Sequence, residues 1–350
     1  MGLGEREREF LKSEFRKYYG KNEPDYPYMI ERREFGFGFE KKIDFRHKRF
    51  STNSELRSYI ISNAPFYISY SVAHYTAPEA KPMKNKAMVD SDLVFDIDVH
   101  GCKNHPDEFV CGECLQKAKE DVVRLVEDFL VPDFGVAKKD VGINFSGNRG
   151  YHVHVGDERY RGLGVKERRE IVNYLNGFGI DAGIFCEAGP TPESPAWFGR
   201  IARCISGKLE RGDVRNVRKA KKDRYIEGIA KGIWADVRES AWFHREFDGC
   251  VREMQANVDE QVTTDVHRLI RLPGSIHGGS ALIAKRVADI GRFDPLNECV
   301  FIDGGEIEVE VSYAPAMEMK GVVFEEINNK KARLPKYYAS YLIAKGAARL

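Results

Sequence analysis

The chain holds 350 residues, 42% of them hydrophobic, and its 55 Lys+Arg against 54 Asp+Glu leave a formal net charge of +1. That composition excludes a disordered chain, and at roughly 100 to 200 residues per domain the length accommodates two packed units or one enlarged one. No apolar run nears the ~20 residues needed to cross a bilayer, and the charged opening MGLGEREREFLKSEFRK lacks the apolar centre of a signal peptide, so the expectation is a cytoplasmic protein with no membrane partner.

Taken in order, Glu5 to Tyr19 carries Phe10, Leu11, Phe15, Tyr18 and Tyr19 at helical spacing and stops at Gly20. The run REFGFGFEKKIDFRHKRF, Arg32 to Phe50, alternates aromatic and polar residues as strands do, and Ser54 to Ile61 returns to a helical pattern. A Pro- and Lys-bearing loop from Ala77 to Lys86 leads into DLVFDIDVH, Asp92 to His100, an apolar strand interrupted by acids. Leu115 to Leu130 places Leu115, Ala118, Val122, Leu125, Val126 and Phe129 on one helical face and ends before Pro132. VGINFSG and YHVHVGD then read as strand, turn and strand, and Val165 to Phe178 as a helix. Strands alternating with helices predict an α/β, mixed α+β, body.

Between Gly199 and Arg224 ten Lys/Arg stand against three acids, a local surplus of seven that leaves −6 on the remainder. We expect residues 186–257 to form an inserted, mainly helical, basic subdomain, with 1–185 and 258–350 making one body. A strand-rich acidic stretch then runs to Val323, and KYYASYLIAKGAARL after Pro335 reads as a closing helix.

Asp96-Ile97-Asp98 is the sharpest chemical signal. Alternation along a strand turns both carboxylates to one face, ~7 Å apart at Cα, with Ile97 on the other. Two acids in an apolar strand lose hydration and repel each other, so a cation belongs between them, and divalent ions on carboxylate oxygens suit phosphoryl transfer. Ser146-Gly147-Asn148-Arg149-Gly150-Tyr151-His152 offers a hydroxyl, a forked cation and an imidazole on a glycine-bearing turn, a set matched to phosphate oxygens. In Arg268-Leu269-Ile270-Arg271-Leu272-Pro273-Gly274-Ser275-Ile276-His277-Gly278 the Pro-Gly turn aims Arg271 and His277 at one anion, and Asp259 ahead of it supplies a third carboxylate. Of seven cysteines, Cys186, Cys204, Cys250 and Cys299 are scattered. Cys102, His105, Cys111 and Cys114 form two half-sites for a closed tetrahedral zinc site, with His100 an alternative to His105.

LVFDID, SGNRGYH and VTTDVHRLIRLPGSIHG, in that order and with the Cys/His cluster between the first two, resemble the catalytic small subunit of archaeal and eukaryotic DNA primases over essentially the whole chain. The resemblance implies a primase catalytic core with a small helical subdomain and a peripheral zinc knuckle at about 100–115. By position it places Asp96, Asp98 and Asp259 on the family's metal-binding aspartates, and Ser146, Arg149, His152, Arg271 and His277 on its nucleotide-phosphate contacts. Asn148 stands where eukaryotic members have a second arginine, Arg271 where they have lysine, and the knuckle has a histidine where they have cysteine.

What the resemblance implies is template-directed, primer-independent synthesis of short RNA in replication, with DNA open as a second product. It also implies Mg²⁺ or Mn²⁺ for catalysis and Zn²⁺ for structure, with single-stranded DNA, nucleoside triphosphates and a primase large subunit as partners. Two alternatives stay open: a primase-polymerase or repair polymerase of the same superfamily, and a metal-dependent nuclease or phosphohydrolase using the same acids to activate water.

Overall fold

The aromatic run after Arg32 folds back on itself in the computed structural model, which describes residues 3–215 and 217–350. Its two strands, Phe35–Gly38 and Phe45–Lys48, join Tyr67–Ser71 and Leu269–Arg271 in an antiparallel sheet ordered 45–48, 35–38, 67–71, 269–271. A second antiparallel sheet runs in the order Lys285–Val287, Val141–Phe145, Gly150–Val155, Leu93–Asp98. The acid-bearing strand is therefore an edge strand, paired on one side only. With helices packed against these sheets the architecture is mixed α+β, as expected.

Helices hold the two sheets from behind. Gly112–Arg124 begins three residues earlier than its apolar periodicity, with Cys111 as its N-cap residue, and buries Leu115, Ala118 and Val122 against the acid-bearing strand and its neighbour. From Leu125 to Leu130 the same helix widens into a π-helical stretch that still buries Leu125, Val126 and Phe129. Each such side chain removed from water contributes about 1.5–3 kcal/mol.

The N-terminal helix, Glu5–Lys21, buries Leu11, Phe15 and Tyr19 and grips the Pro-Gly turn more than 250 residues away. Tyr18 Oη donates to the Gly274 carbonyl at 3.1 Å, and the Ile276 N–H donates to Tyr19 Oη at 3.0 Å. Gly274 sits at φ +80°, and a Cβ there would come within 2.6 Å of Pro24 Cα. Glycine is thus required twice over at that turn.

Residues 182–254 are a succession of helices: Ala182–Ala188, Ala196–Arg211, Lys219–Ala230, Ala235–Arg238 and Phe243–Met254. Phe185 is their shared centre, with ring centroids 4.7 Å from Trp234 and 5.2 Å from Phe247. Cys204 and Cys250, scattered in the sequence, are joined as a disulfide between two of these helices.

Two further boundaries differ from expectation. The helix at Val165 stops at Leu175, ahead of Phe178. The closing helix spans only Lys336–Ala344; Gly346, at φ +73°, turns the chain, and Ala348–Arg349 pairs with Glu310 and Val311 as a strand. The left-handed turn stops the helix and brings the tail back onto the sheet.

Candidate active site and metal knuckle

The two sheets wall a cleft of about 330 Å³. From the second sheet come Asp96, Asp98, Ser146 and His152; from the first sheet and the loop after it come Arg271 and His277. Residues from three separated motifs thus meet in one place.

Strand register explains the acid pair. Asp96 lies opposite His152 and Asp98 opposite Gly150, while Ile97 turns away into the core at 1% exposure. A Cβ on Gly150 would overlap the Ile97 carbonyl and the Asp98 carboxylate, so that glycine leaves Asp98 its room. Asp259 ends the approach to the short helix Glu260–Thr264 and caps it, its Oδ1 accepting from Gln261 N at 2.7 Å and Val262 N at 3.3 Å. The Asp259 N–H donates to the Asp96 carbonyl at 2.9 Å, which brings the third carboxylate beside the pair.

Burial, then the charge of Asp259, pushes the Asp96 carboxyl up to about 6, with Arg268 and Lys42 pulling the other way. Burial and the neighbouring Asp96 raise Asp98 as well. Asp96 Oδ1 is buried without a hydrogen-bond partner; His152 Nε2 stands 3.6 Å from it. An orphaned carboxylate oxygen beside two more carboxylates is a donor set that fits hard divalent cations.

Two imidazoles and a guanidinium share the cleft with these acids, His152 from the same sheet and Arg271 and His277 from across it. Burial moves the His152 imidazole down to about 4, so at neutral pH it is uncharged. Burial and Arg271 push His277 well below its usual value. Its Nδ1 accepts from Gly279 N at 3.2 Å, so Nε2 carries the proton and is available as a donor. Arg271 lies with its guanidinium 5.0 Å from the centre of the Tyr67 ring, and burial lowers it to about 10. Ser280 Oγ donates to the Gly147 carbonyl, tying the His277 loop to the Ser146 turn. Gly147, at φ +83°, would place a Cβ 2.8 Å from His277 Cβ. Arg149 sits at the rim, outside the lining of the cleft, where Nη1 donates to the Asp107 carbonyl at 2.8 Å.

Several lining residues escape the sequence reading: Lys42 and Arg46 from the aromatic hairpin, and Asp265, His267 and Arg268 ahead of Arg271. Buried Glu34 holds Arg46 through Nε–Oε1 at 2.8 Å and Nη2–Oε2 at 3.1 Å. The basic interleaving in FEKKIDFRHK was visible, but nothing local says that this hairpin faces the acids. Among the described residues Lys42, Arg149, Arg268 and Arg271 make no ion pair with a carboxylate. Cations collected without counter-charges make a site for a polyanion.

Cys102, His105, Cys111 and Cys114 place their ligand atoms within 4.8 Å of one another. Cys111 Sγ to Cys114 Sγ is 3.6 Å and Cys114 Sγ to His105 Nε2 is 3.4 Å, close to the edges of a tetrahedron around Zn²⁺ with bonds of about 2.0–2.3 Å. His105 Nδ1 meets the Pro106 carbonyl at 2.9 Å, an outer hydrogen bond that leaves Nε2 for the metal. His105, rather than His100, completes the set. The cluster lies apart from the cleft but touches it through Asp107.

Comparison with known proteins agrees with this geometry. The profile of the DNA primase small subunit family matches residues 95–288. The DNA primase small subunit PriS of Methanocella arvoryzae is 32% identical, over 99% of this chain and 99% of its own length. That of Archaeoglobus fulgidus is 36% identical over 97% of each, and that of Thermoplasma acidophilum 32% identical over 95% of this chain and 98% of its own. With the likeness running the length of the molecule and the family profile covering Asp96 through His277, the chain belongs to the DNA primase small subunit family.

Proposed function

We propose that this cleft joins nucleoside triphosphates on a single-stranded DNA template without a primer, making short RNA and, as a second product, DNA. Family membership makes the chain a primase enzyme of replication. The observation that supports the finer reading is the juxtaposition, in one cleft, of the Asp96 and Asp98 carboxylates, with Asp259 held beside them, and cations that have no carboxylate partner.

Asp96, Asp98 and Asp259 would hold two Mg²⁺ or Mn²⁺ ions, which when bound activate a 3′-hydroxyl and neutralise charge on the attacked phosphate. Arg271 and the His277 Nε2–H bind the triphosphate on the opposite wall, and Ser146, His152 and Arg149 complete the set. Held from that side, the triphosphate presents its α-phosphate toward the acids, and pyrophosphate leaves in line. The chain's own groups thus supply position and charge, and no covalent enzyme intermediate is required. Zn²⁺ on Cys102, His105, Cys111 and Cys114 would be structural, and the large subunit that primases pair with would complete the working enzyme inside the cell.

The deciding test is incubation with single-stranded DNA, labelled nucleotides and Mg²⁺ or Mn²⁺ but no primer. A ladder of short products is expected. Strand cutting or phosphate release without incorporation would instead make it the nuclease or phosphohydrolase. Extension confined to pre-primed ends would make it a repair polymerase.

His277→Ala and Arg149→Ala are expected chiefly to raise the nucleotide KM. Each loses one charge-assisted or buried hydrogen bond to phosphate, about 1.5–3 kcal/mol, hence roughly tenfold to a hundredfold in kcat/KM. Steady-state kinetics unchanged at both positions would remove them from the site.

We also infer that 186–257 is a template-gripping subdomain inserted in a body made of 1–185 and 258–350. Its charge is smaller than the raw count. Arg200 pairs with Asp133 at 2.7 Å and Lys208 with Glu253 at 2.7 Å, both cations buried. Arg218, Lys219 and Lys221 are exposed, and Lys222 is half-buried and donates to the Glu210 carbonyl; Asn216 of this tract lies outside the described residues. Replacing those four cations with alanine should flatten the log–log salt dependence of single-stranded DNA binding by up to roughly 3, at about 0.7 per phosphate contact. Nucleotide affinity should hold. An unchanged slope would return the tract to a solvated face or a docking surface.

A further inference from the structure

The C-terminal segment delivers a cation to the Ser146–Gly150 turn that no motif announces. The helix Lys336–Ala344 is anchored by buried Tyr338, Tyr341, Leu342 and Ile343, and Val110 N donates to Tyr341 Oη at 3.3 Å. Lys345 follows as the C-cap residue. Its side chain crosses 5.3 Å from the centre of the Tyr341 ring, and Nζ donates to Asn148 Oδ1 at 2.8 Å. Asn148 itself lines the cleft.

A lysine at a helix C-terminus ordinarily faces the last carbonyls, where it offsets the helix dipole. Here the ammonium is carried away from them to an amide oxygen, spending one of its three donors. Among the described residues it has no carboxylate partner. Burial, then the like charge of Arg149, brings the ammonium down to about 7, with Glu108 pulling weakly the other way. Its field reaches the phosphate wall, since it and Arg271 both help to keep the His277 ring neutral. A cation placed among cations, half-buried and with two donors unspent, lacks an anion.

We propose that Lys345 is a phosphate-binding residue of the nucleotide site, contacting the triphosphate beside Arg149 and supplying from the C-terminal segment the positive charge that Asn148 does not. This rests on the reading of the cleft as a nucleoside triphosphate site. The turn then has two cations, one from its own Arg149 and one borrowed across almost 200 residues of sequence.

The test measures equilibrium binding of a nucleoside triphosphate, the matching nucleoside and single-stranded DNA to the full chain. Lys345→Met should weaken triphosphate binding about tenfold, the size of one charge-assisted hydrogen bond, and leave nucleoside binding unchanged. Lys345→Gln keeps an N–H donor for Asn148 without the charge and should lose as much, so the outcome stays readable if the methionine variant folds poorly. Lys345→Arg should stay within a few-fold of the wild type, and Asn148→Arg added to Lys345→Gln should recover most of the loss. Triphosphate affinity unchanged in Lys345→Gln would overturn the proposal. So would equal losses for nucleoside and triphosphate, which mean a structural role, and so would a loss confined to single-stranded DNA, which assigns the lysine to the strand backbone. Wild-type protein that binds no triphosphate would sink the reading of the cleft itself, a different failure from any of these.

Discussion

Asp96→Asn is expected to abolish nucleotide joining while making the metal-free protein more stable at neutral pH. The first effect follows from removing one of three carboxylates that would hold the divalent ions. Ions in such sites contribute several kcal/mol of charge stabilisation, so a fall of roughly a thousandfold or more is expected. The second follows from the raised carboxyl. In the unfolded chain Asp96 titrates near 3.8, in the metal-free fold at about 6. Below about pH 3 both states hold the proton and Asp96 takes nothing from stability. As the pH rises toward 6 the unfolded chain ionises first, and folding loses up to about 3 kcal/mol. The asparagine variant lacks that loss, so its melting temperature should exceed the wild type's by a few degrees at pH 7 and match it near pH 3. Adding Mg²⁺ or Mn²⁺ should raise the melting temperature of the wild type and not of the variant. Synthesis within a few-fold of wild type, or the same metal-induced rise in both, would falsify the assignment of Asp96 as a metal ligand.

Cys111→Ser combined with Cys114→Ser is expected to remove about one zinc ion per chain and to destabilise the fold more than it weakens nucleotide binding. A closed four-ligand site folds with its metal, and free energies of about 10 kcal/mol are seen for small zinc domains. Here the loss is moderated because Phe109 and Val110 remain packed in the core, against Tyr341 and the C-terminal helix; several kcal/mol and a clear drop in melting temperature are expected. The knuckle reaches the cleft through the Asp107 carbonyl that receives Arg149. Nucleotide affinity should therefore fall by no more than that one hydrogen bond to a charged group provides, about 1.5–3 kcal/mol. Metal analysis is the check: protein prepared without chelator, fully stable and free of zinc, would show the four ligands to be reduced side chains in a loop.

Short-range periodicity determined much of this protein by itself. Because a strand alternates faces every residue, Asp96 and Asp98 had to share a side whatever the rest of the chain did, and Gly150 opposite Asp98 keeps that side open. Ligand spacing made the Cys102 to Cys114 cluster legible in the same way, since each half-site, Cys102-x2-His105 and Cys111-x2-Cys114, holds its two ligands a short turn apart. The helix from Leu115 and the strands on either side of Asn148 were equally local.

Contacts between distant segments are decided by packing, and no periodicity encodes them. That the aromatic hairpin turns Lys42 and Arg46 toward the acids depends on a sheet closed by residues 269–271. That Arg200 and Lys208 are structural ion-pair members, not template contacts, depends on Asp133 arriving from the turn after Leu130 and Glu253 from another helix. Cys204 finds Cys250 at a separation of 46 residues, and Lys345 finds Asn148 because Tyr338, Tyr341 and Leu342 are buried and Gly346 ends their helix. In each case a side chain's local pattern allowed several surroundings, and the burial of its neighbours selected one.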